Sequence, residues 1–507
     1  MKRILIVAGS DSSGGAGLEA DQRVCAVHGC YAMTATSALT AQNTQGVYGI
    51  HETPSGFVQK QIDACIDDIG VDVVKTGMLA SAGTVSVVAE SIQRYGIKYS
   101  VVDPVMVATS GASLLPENAV RVLCEQLLPR TYIVTPNIPE ANLMLREAGE
   151  PAIEIVDLDG LKQLAHAVHK LGPKYVLIKG GHLALTSDRK VARSEDERKL
   201  VVNVLLGDGV EEVFELAYQR SPNTHGTGCS LASAVACNIA QGFSITKAVR
   251  AACRFVEAGI ATSVHLGQGS GPLNHFHSIQ ILPFAPGRFV EYLLDREDVK
   301  PAWHEYTHHE FVERMGDGTL PRESYKHYMI QDYLYLIQFA RANALAGYKA
   351  KTLDDIAGAA TIVTHIRHEI NLHITECEDF GLTQEMMEQC EESQACTAYT
   401  RYVLDIGQSE EWLALQVSLL PCLLGYGMIA RRLHEIQVAN PPKEPNKYLT
   451  WINNYVAEDY SAAVEKGSAL IEKHAVKQSP SRIEELVAIF VHATKMECGF
   501  WDMAGSA

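Results

Sequence analysis

Two cysteines stand where a thiol could do chemistry. Cys229 follows His225-Gly226-Thr227-Gly228 and opens a run of small and apolar residues that ends at Ala240. Such a run predicts a buried helix whose first amides have no intrahelical acceptor, and the two glycines let an incoming group come close to the backbone. Free amides and the positive end of the helix dipole make an anion hole suited to a phosphoryl group in transfer. The same field is expected to lower the pKa of the thiol at its mouth. Cys422 follows Leu419-Leu420-Pro421 within residues 412–430, which carry no charge. Pro421 deprives one helical carbonyl of its donor, and Tyr426 lies one turn beyond Cys422 on the same face. Acids and aromatics recur at helical spacing elsewhere: Asp332 with Tyr335, Tyr399 with Tyr402, and Glu497 with Phe500 and Trp501. Carboxylates on apolar faces need partners, which singles out Asp332 and Glu497.

The elements that must position Cys229 alternate. Strands are predicted over 4–8, 32–39, 72–75, 99–103, 132–135 and 175–179, and helices over 18–28, 55–69, 84–95, 117–127, 140–148 and 158–171. This rhythm predicts an α/β domain, a mainly parallel sheet with helices on both faces, whose loops after the strands line one ligand-binding edge. Residues 190–218 break the rhythm and read as a hairpin or irregular excursion, before helices over 229–241 and 245–264. A stretch rich in Gly, Pro and His, 267–286, places the boundary: a first domain over 1–280, a linker over 281–290 and a second domain over 291–507. The second domain is all-α, with helical spacing over 325–349, 352–377, 385–404, 411–437, 447–474 and 481–503, and Pro441-Pro442 and Pro445 mark one connection.

The 507 residues are 47% hydrophobic and 20% charged, enough for two or three domains with sizeable cores. A net charge of -17 argues against nucleic acid and acidic membrane surfaces as main partners but allows a small anionic ligand. The 12 cysteines include no Cys-x-x-Cys pair, so zinc and dithiol chemistry lack support. The apolar run at the N-terminus is too short for a signal peptide, and a cytoplasmic location is expected. Residues 412–430 approach the length of a bilayer span, yet Gln416, Ser418 and Pro421 and the isolation of the segment favour a buried helix and no membrane partner. Gly14-Gly15-Ala16-Gly17 lacks the Gly-x-Gly-x-x-Gly spacing, so a dinucleotide is not expected.

Seven motifs occur in order where the predicted strands end or the helices begin: Ala16-Gly17-Leu18-Glu19-Ala20-Asp21, Thr40-Ala41-Gln42-Asn43-Thr44, Lys75-Thr76-Gly77-Met78-Leu79, Val102-Asp103-Pro104-Val105-Met106, Thr135-Pro136-Asn137-Ile138-Pro139-Glu140, Ile178-Lys179-Gly180-Gly181-His182 and Asn223 through Cys229. Together they resemble the hydroxymethylpyrimidine and phosphomethylpyrimidine kinases, the ThiD family of the ribokinase superfamily. The resemblance extends to about His277. It implies ATP-dependent phosphorylation of 4-amino-5-hydroxymethyl-2-methylpyrimidine, then of the monophosphate. It also implies roles. Gln42 and Asp21 would hold the aminopyrimidine in a pocket shaped by Gly9, Ala16 and Met78. Asp103, Asn137 and Glu140 would hold magnesium, and Lys179 and Thr227 would contact the nucleotide phosphates. The amides from Gly226 and Gly228 to Cys229 would stabilise the transferring group, and Cys229 would take the alcohol proton. Taken singly, Lys75 and Lys179 read equally well as solvated strand ends.

The second half, from about Phe311 to Ala504, resembles the TenA or thiaminase II family, through Met315-Gly316-Asp317-Gly318-Thr319-Leu320-Pro321 and the acid and aromatic motifs above. That resemblance implies a haem-oxygenase-like helical fold without haem and hydrolysis of thiamin, or of aminopyrimidines derived from it, to hydroxymethylpyrimidine. Cys422 would be the nucleophile and Glu497 would manage a proton on a ring nitrogen. Asp332 would position the amino group and thiol, and Tyr335, Tyr399, Tyr426 and Tyr455 would line a slot for the flat ring. The two resemblances together imply a fused protein of thiamin-pyrimidine biosynthesis and salvage, and a homo-oligomer, dimeric through the first half or tetrameric through the second. The competing reading is a pyridoxal-type kinase fused to a non-catalytic pyrimidine-binding helical module.

Overall fold

The first strand shows why an unbroken apolar run makes a strand here. Along β1 (Lys2–Asp11), Leu5 and Val7 enter one hydrophobic core while Ile4, Ile6 and Ala8 enter another on the opposite face. A strand covered on both sides has no polar face to alternate with. The structure, a computed structural model, describes residues 1–107, 114–181, 183–441 and 444–505. His182 and Pro442, named in the motifs above, lie outside the described residues. The chain divides into two units, Met1–Ile279 and Gln280–Ala507.

The first unit is a nine-stranded sheet in the order β3-β2-β1-β4-β5-β6-β7-β8-β9. After β1 come α1 (Gly17–Val27), β2 (Cys30–Gln42), β3 (Val47–Glu52), α2 (Ser55–Asp68), β4 (Val73–Thr76), α3 (Ala82–Arg94) and β5 (Ser100–Val102). They are followed by α4 (Glu117–Val122), β6 (Ile133–Val134), α5 (Ile138–Glu147), α6 (Leu158–His169), β7 (Tyr175–Lys179), β8 (Leu200–Gly207), β9 (Val210–Ala217), α7 (Thr227–Ala240) and α8 (Ile245–Ala261). β2, β1, β4, β5, β6 and β7 pair in parallel, and β3, β8 and β9 extend the edges antiparallel. This is the ribokinase-like architecture. The excursion at 190–218 resolves as the β8–β9 hairpin, turned by Asp208 and Gly209, both at positive φ, the pairing that such a turn requires. β3 was not anticipated. Its residues are mostly exposed, so no hydrophobic alternation marks it. The helix expected over 117–127 leaves α geometry after Val122 and finishes as a π turn over Leu123–Leu127.

A buried ion pair fixes the helix that carries Cys229. Lys75 on β4, expected as a possible solvated strand end, is fully buried, and its Nζ lies 2.6 Å from Asp21 Oδ2 on α1. Asp21 Oδ1 accepts from Ser233 Oγ on α7 at 2.7 Å. Burial opposes the charge on Lys75, but the neighbouring carboxylate outweighs it and keeps the ammonium protonated well above the usual lysine range. Strand, first helix and α7 are thereby pinned to one another through groups that cannot be solvated.

The second unit is all helical. It comprises α9 (Phe289–Asp295), α10 (Lys300–Thr307), α11 (Glu310–Gly316), α12 (Arg322–Lys349), α13 (Leu353–Asp379) and α14 (Gln384–Glu388), then α15 (Gln394–Ser409), α16 (Trp412–Ala439), α17 (Leu449–Val456), α18 (Glu458–Ala475) and α19 (Pro480–Gly505). α9 begins inside the stretch read as a linker, held by Glu472, whose carboxylate accepts the Phe289 and Val290 amides, each at 2.9 Å. Two helices read as continuous are broken. Ser393 Oγ caps α15 by accepting the Cys396 amide at 3.1 Å, so 385–404 becomes two helices. Ala457 turns extended (φ -59, ψ 150) between α17 and α18, with no glycine or proline to announce it. α16 runs through Pro421, and its apolar stretch is 78% buried in the bundle, which accounts for its membrane-like composition.

Removing one member of a buried ion pair costs about 3–5 kcal/mol. Lys75→Met should lower the first unit's stability by that order in urea unfolding, and adding Asp21→Asn should recover much of it. An unchanged midpoint for Lys75→Met would show that the pair does not hold α7.

Candidate active sites

The parallel strands deliver their C-terminal residues to one edge, facing the start of α7. Gly226 caps that helix at φ 77, and a Cβ there would stand 1.9 Å from the Gly15 carbonyl oxygen. Only glycine tolerates both the conformation and the approach, so the loop after β1 and the start of α7 interlock. The helical ladder begins with Ser230 N on Gly226 O at 2.9 Å, and the Thr227 amide turns back to the Thr224 carbonyl at 3.4 Å, so the Gly228 and Cys229 amides precede the ladder. Lys179 Nζ lies across this end, 3.2 Å from where a Cβ on Gly228 would stand. It pairs with Asp103 Oδ1 at 2.6 Å and lies 3.9 Å from Glu140 Oε2.

Around the other side of α7 the pocket residues gather. Gly9 faces Met78, whose Cε would lie 2.7 Å from an added Cβ. Asp11 Oδ1 accepts from the Ser13 amide and hydroxyl (2.9 and 2.7 Å), and Oδ2 accepts from the Ala16 amide at 2.8 Å. His225 Nε2 lies 2.9 Å from Asp11 Oδ2 and 3.3 Å from the amide of Gln42. Although burial works against it, this set of donors holds the Asp11 carboxyl down to about 2.

In the second unit, Glu497 on α19 is buried and accepts from the Tyr399 hydroxyl on α15 at 2.9 Å. Burial pushes its carboxyl up to about 8, with nearby Asp332 adding to the rise and Tyr399 opposing it. Tyr399 and Tyr335 stack with ring centroids 5.0 Å apart, and the Tyr335 hydroxyl is buried beside that of Tyr399. Opposite elements supply a second aromatic group: Tyr426 lies 5.1 Å from Tyr455 and 5.5 Å from Trp501. Cys422 is half-buried. Tyr328 donates to Asp332 Oδ2 at 3.3 Å and accepts from Trp451 Nε1 at 3.0 Å. Two buried carboxyl groups, Glu497 and Asp332, thus lie among packed aromatic rings.

Residues 11–274 match the phosphomethylpyrimidine kinase family, and residues 296–507 match the TENA/THI-4/PQQC family. A Schizosaccharomyces pombe protein, provisionally named hydroxymethylpyrimidine/phosphomethylpyrimidine kinase 2, is 44% identical over 98% of this chain and 90% of its own length. The chain belongs to the fused kinase–TenA family. A hydroxymethylpyrimidine/phosphomethylpyrimidine kinase of Saccharomyces cerevisiae is 33% identical, covering 99% of this chain and 95% of its own. The solved ADP complex of Bacillus subtilis pyridoxal kinase is 32% identical over 55% of this chain and 98% of that one, with a TM-score of 0.47.

Several expected family roles change in the structure. The Cys229 thiol does not fall: burial pushes it up to about 11, although the Lys75 ammonium and the Gly17 amide pull the other way. Asp21, expected to hold the aminopyrimidine, is instead the fully buried partner of Lys75 and Ser233. Asn137 is a helix cap. Its side chain accepts the Glu140 amide and Glu140 Oε2 accepts the Asn137 amide, both at 2.8 Å. The Thr227 hydroxyl turns back onto the Thr224 carbonyl at 3.1 Å instead of facing the hole. Among the described residues no three acidic, His or Cys side chains gather as a metal site. Asp103 and Glu140 suit an ion that keeps its waters and binds through one or two carboxylates. Burial raises the Glu140 carboxyl to about 7, against the pull of Lys179. The sequence reading assigned no role to Tyr306, fully buried against α16. Gly425 was its signal, since a Cβ there would lie 2.1 Å from the Tyr306 ring.

A carboxyl that stays protonated when folded makes stability fall with pH. Between the ordinary 4.5 and about 8, the folded chain holds a proton that the unfolded chain has lost. Stability should therefore decrease as pH rises through that window, and Glu497→Gln should flatten the decrease. An identical slope in both proteins would place the ionisation elsewhere.

Proposed function

We propose that the first unit transfers phosphate from ATP to the hydroxymethyl of 4-amino-5-hydroxymethyl-2-methylpyrimidine, and then to its monophosphate. We propose further that the second unit hydrolyses thiamin or its aminopyrimidine breakdown products to the same alcohol. The observation that carries the first reading is the convergence of Lys179, Asp103 and the amide-rich start of α7 opposite Gln42, Gly9 and Met78. The lysine and the helix amides would take up the charge of the transferring group. Magnesium, held through water by Asp103 and Glu140, would neutralise the phosphates. Cys229 can accept the alcohol proton only as thiolate. Lys75 beneath it is the group that favours that form, against burial.

The second reading rests on Glu497, a buried acid that keeps its proton at neutral pH. Sulfur addition to the ring forms the Cys422–carbon bond while Glu497 passes its proton to a ring nitrogen. The group on the exocyclic methylene then departs with its electron pair, water adds there and gives up one proton to the departing group or solvent, and the ring nitrogen returns its proton to Glu497 as the Cys422 thiolate leaves and aromaticity returns. The stacked tyrosines hold the flat ring in register.

The two activities should separate by mutation. Cys229→Ala should lower kinase turnover by about 10²–10⁴-fold and leave hydrolysis intact. Cys422→Ser or Glu497→Gln should stop release of the amine or thiazole while supplied hydroxymethylpyrimidine is still phosphorylated. Product masses from both assays on each variant decide. A folded Cys422→Ser protein that loses kinase activity would sink the two-site reading, and wild-type binding without hydrolysis would reduce the second unit to a binding module.

A further inference from the structure

The contacts around His225 admit only one arrangement of protons. Asp11 is ionised, and a carboxylate only accepts, so His225 Nε2, 2.9 Å from Asp11 Oδ2, carries the hydrogen. A ring N–H has no lone pair left to receive another. Gln42 Nε2 as placed lies 3.3 Å from the same nitrogen, donor against donor, so the amide is turned end for end, an exchange of nearly identical atoms, and presents its oxygen to His225. Its NH2 group then faces Thr40 Oγ1, 3.3 Å from the far end of the amide. Thr40 can accept there because its own hydrogen goes to the Ser10 carbonyl at 2.9 Å. The chain of donors runs from Thr40 to Ser10, from Gln42 to Thr40, and from the single His225 Nε2–H, shared between Asp11 at 2.9 Å and Gln42 at 3.3 Å. One hydrogen of the Gln42 amide is left unspent.

We propose that Asp11 and His225 form a positioning pair that fixes the orientation of the Gln42 amide, so that the pocket selects flat substrates offering a hydrogen-bond acceptor, such as a ring nitrogen, to the unspent N–H. This rests on the reading of Gln42 as a pyrimidine contact. The pair is itself held rigidly. Asp11 is tied to Ser13 and Ala16, the His225 amide donates to Gly271 O at 3.0 Å, and the ring lies so close to Gly15 that a Cβ there would stand 2.3 Å from it. A rotatable amide alone could present either end to a ligand. With its oxygen committed, a substrate with C–H in place of the ring nitrogen leaves the donor unsatisfied, the kind of mismatch that discriminates strongly.

The test is a double-mutant cycle on the full chain, read by equilibrium binding of hydroxymethylpyrimidine and of the analogue with C–H replacing a ring nitrogen. His225→Phe keeps a ring beside Gly15 but no N–H. It should weaken pyrimidine binding about tenfold, the scale of one lost hydrogen bond, narrow the preference over the analogue, and leave ATP affinity within about twofold. His225→Asn, which restores a donor, should recover part of the loss. In a Gln42→Ala background, His225→Phe should have little further effect. Equal losses for both ligands and ATP, or the same loss with and without Gln42, would overturn the pair. Turnover of the wild type, measured alongside, tests the kinase reading separately, since binding reports on the pair whether or not phosphate is transferred.

Discussion

The first unit's site depends on a charge sealed from water. Lys75, Asp21 and Ser233 are all fully buried, and each belongs to a different element. Desolvating an ammonium and a carboxylate is expensive, and their attraction offsets the cost only when the geometry is close. A shift of α7 along its axis would break the Ser233–Asp21 hydrogen bond and leave the buried carboxylate one donor short. The glycine-led start of that helix therefore has little freedom relative to the strand ends. Gly226 completes the constraint from the other side, since its left-handed backbone and missing Cβ admit the Gly15 carbonyl.

The same low-dielectric interior treats carboxyls in opposite ways, according to the donors each one finds. Asp11 meets the Ser13 amide and hydroxyl, the Ala16 amide and His225, and stays ionised down to about 2. Glu497 has the Tyr399 hydroxyl as a donor and Asp332 as a neighbouring acid, and rises to about 8. Hydrogen bonds to the charged form stabilise it, and burial without enough of them favours the neutral form. One carboxyl thus stays charged and the other tends to keep its proton. Cys229 follows the burial rule: Lys75 and an amide only partly offset the loss of water.

In the second unit the aromatics do two jobs that sequence spacing does not separate. Trp303, Tyr306, Phe490 and Trp501 pack as core, while Tyr335 stacks on Tyr399 beside the Glu497–Tyr399 bond. Small residues sort them. Gly425 makes room for the Tyr306 ring, so this ring belongs to the helix–helix contact.

The sequence by itself determined the alternation of strands and helices, the division into an α/β and an all-α half, and the glycine-led start of α7. These are written in local periodicity and in residues with special backbone freedom, so they can be read without knowing the fold. It also placed the correct kinds of side chain at the strand ends. Only the tertiary structure decided which of them face a ligand. Lys75 and Asp21 are 54 residues apart and Asp21 and Ser233 are 212 apart, and no local pattern reveals that the three satisfy one another. Asn137 carries a capping-box spacing with Glu140 that the strand-end motif obscured. The α17–α18 break at Ala457 has no marker, and β3 is too exposed to show a pattern. A polar group's role depends on whether the folded chain has already supplied its partner, and that is settled by contacts between distant residues.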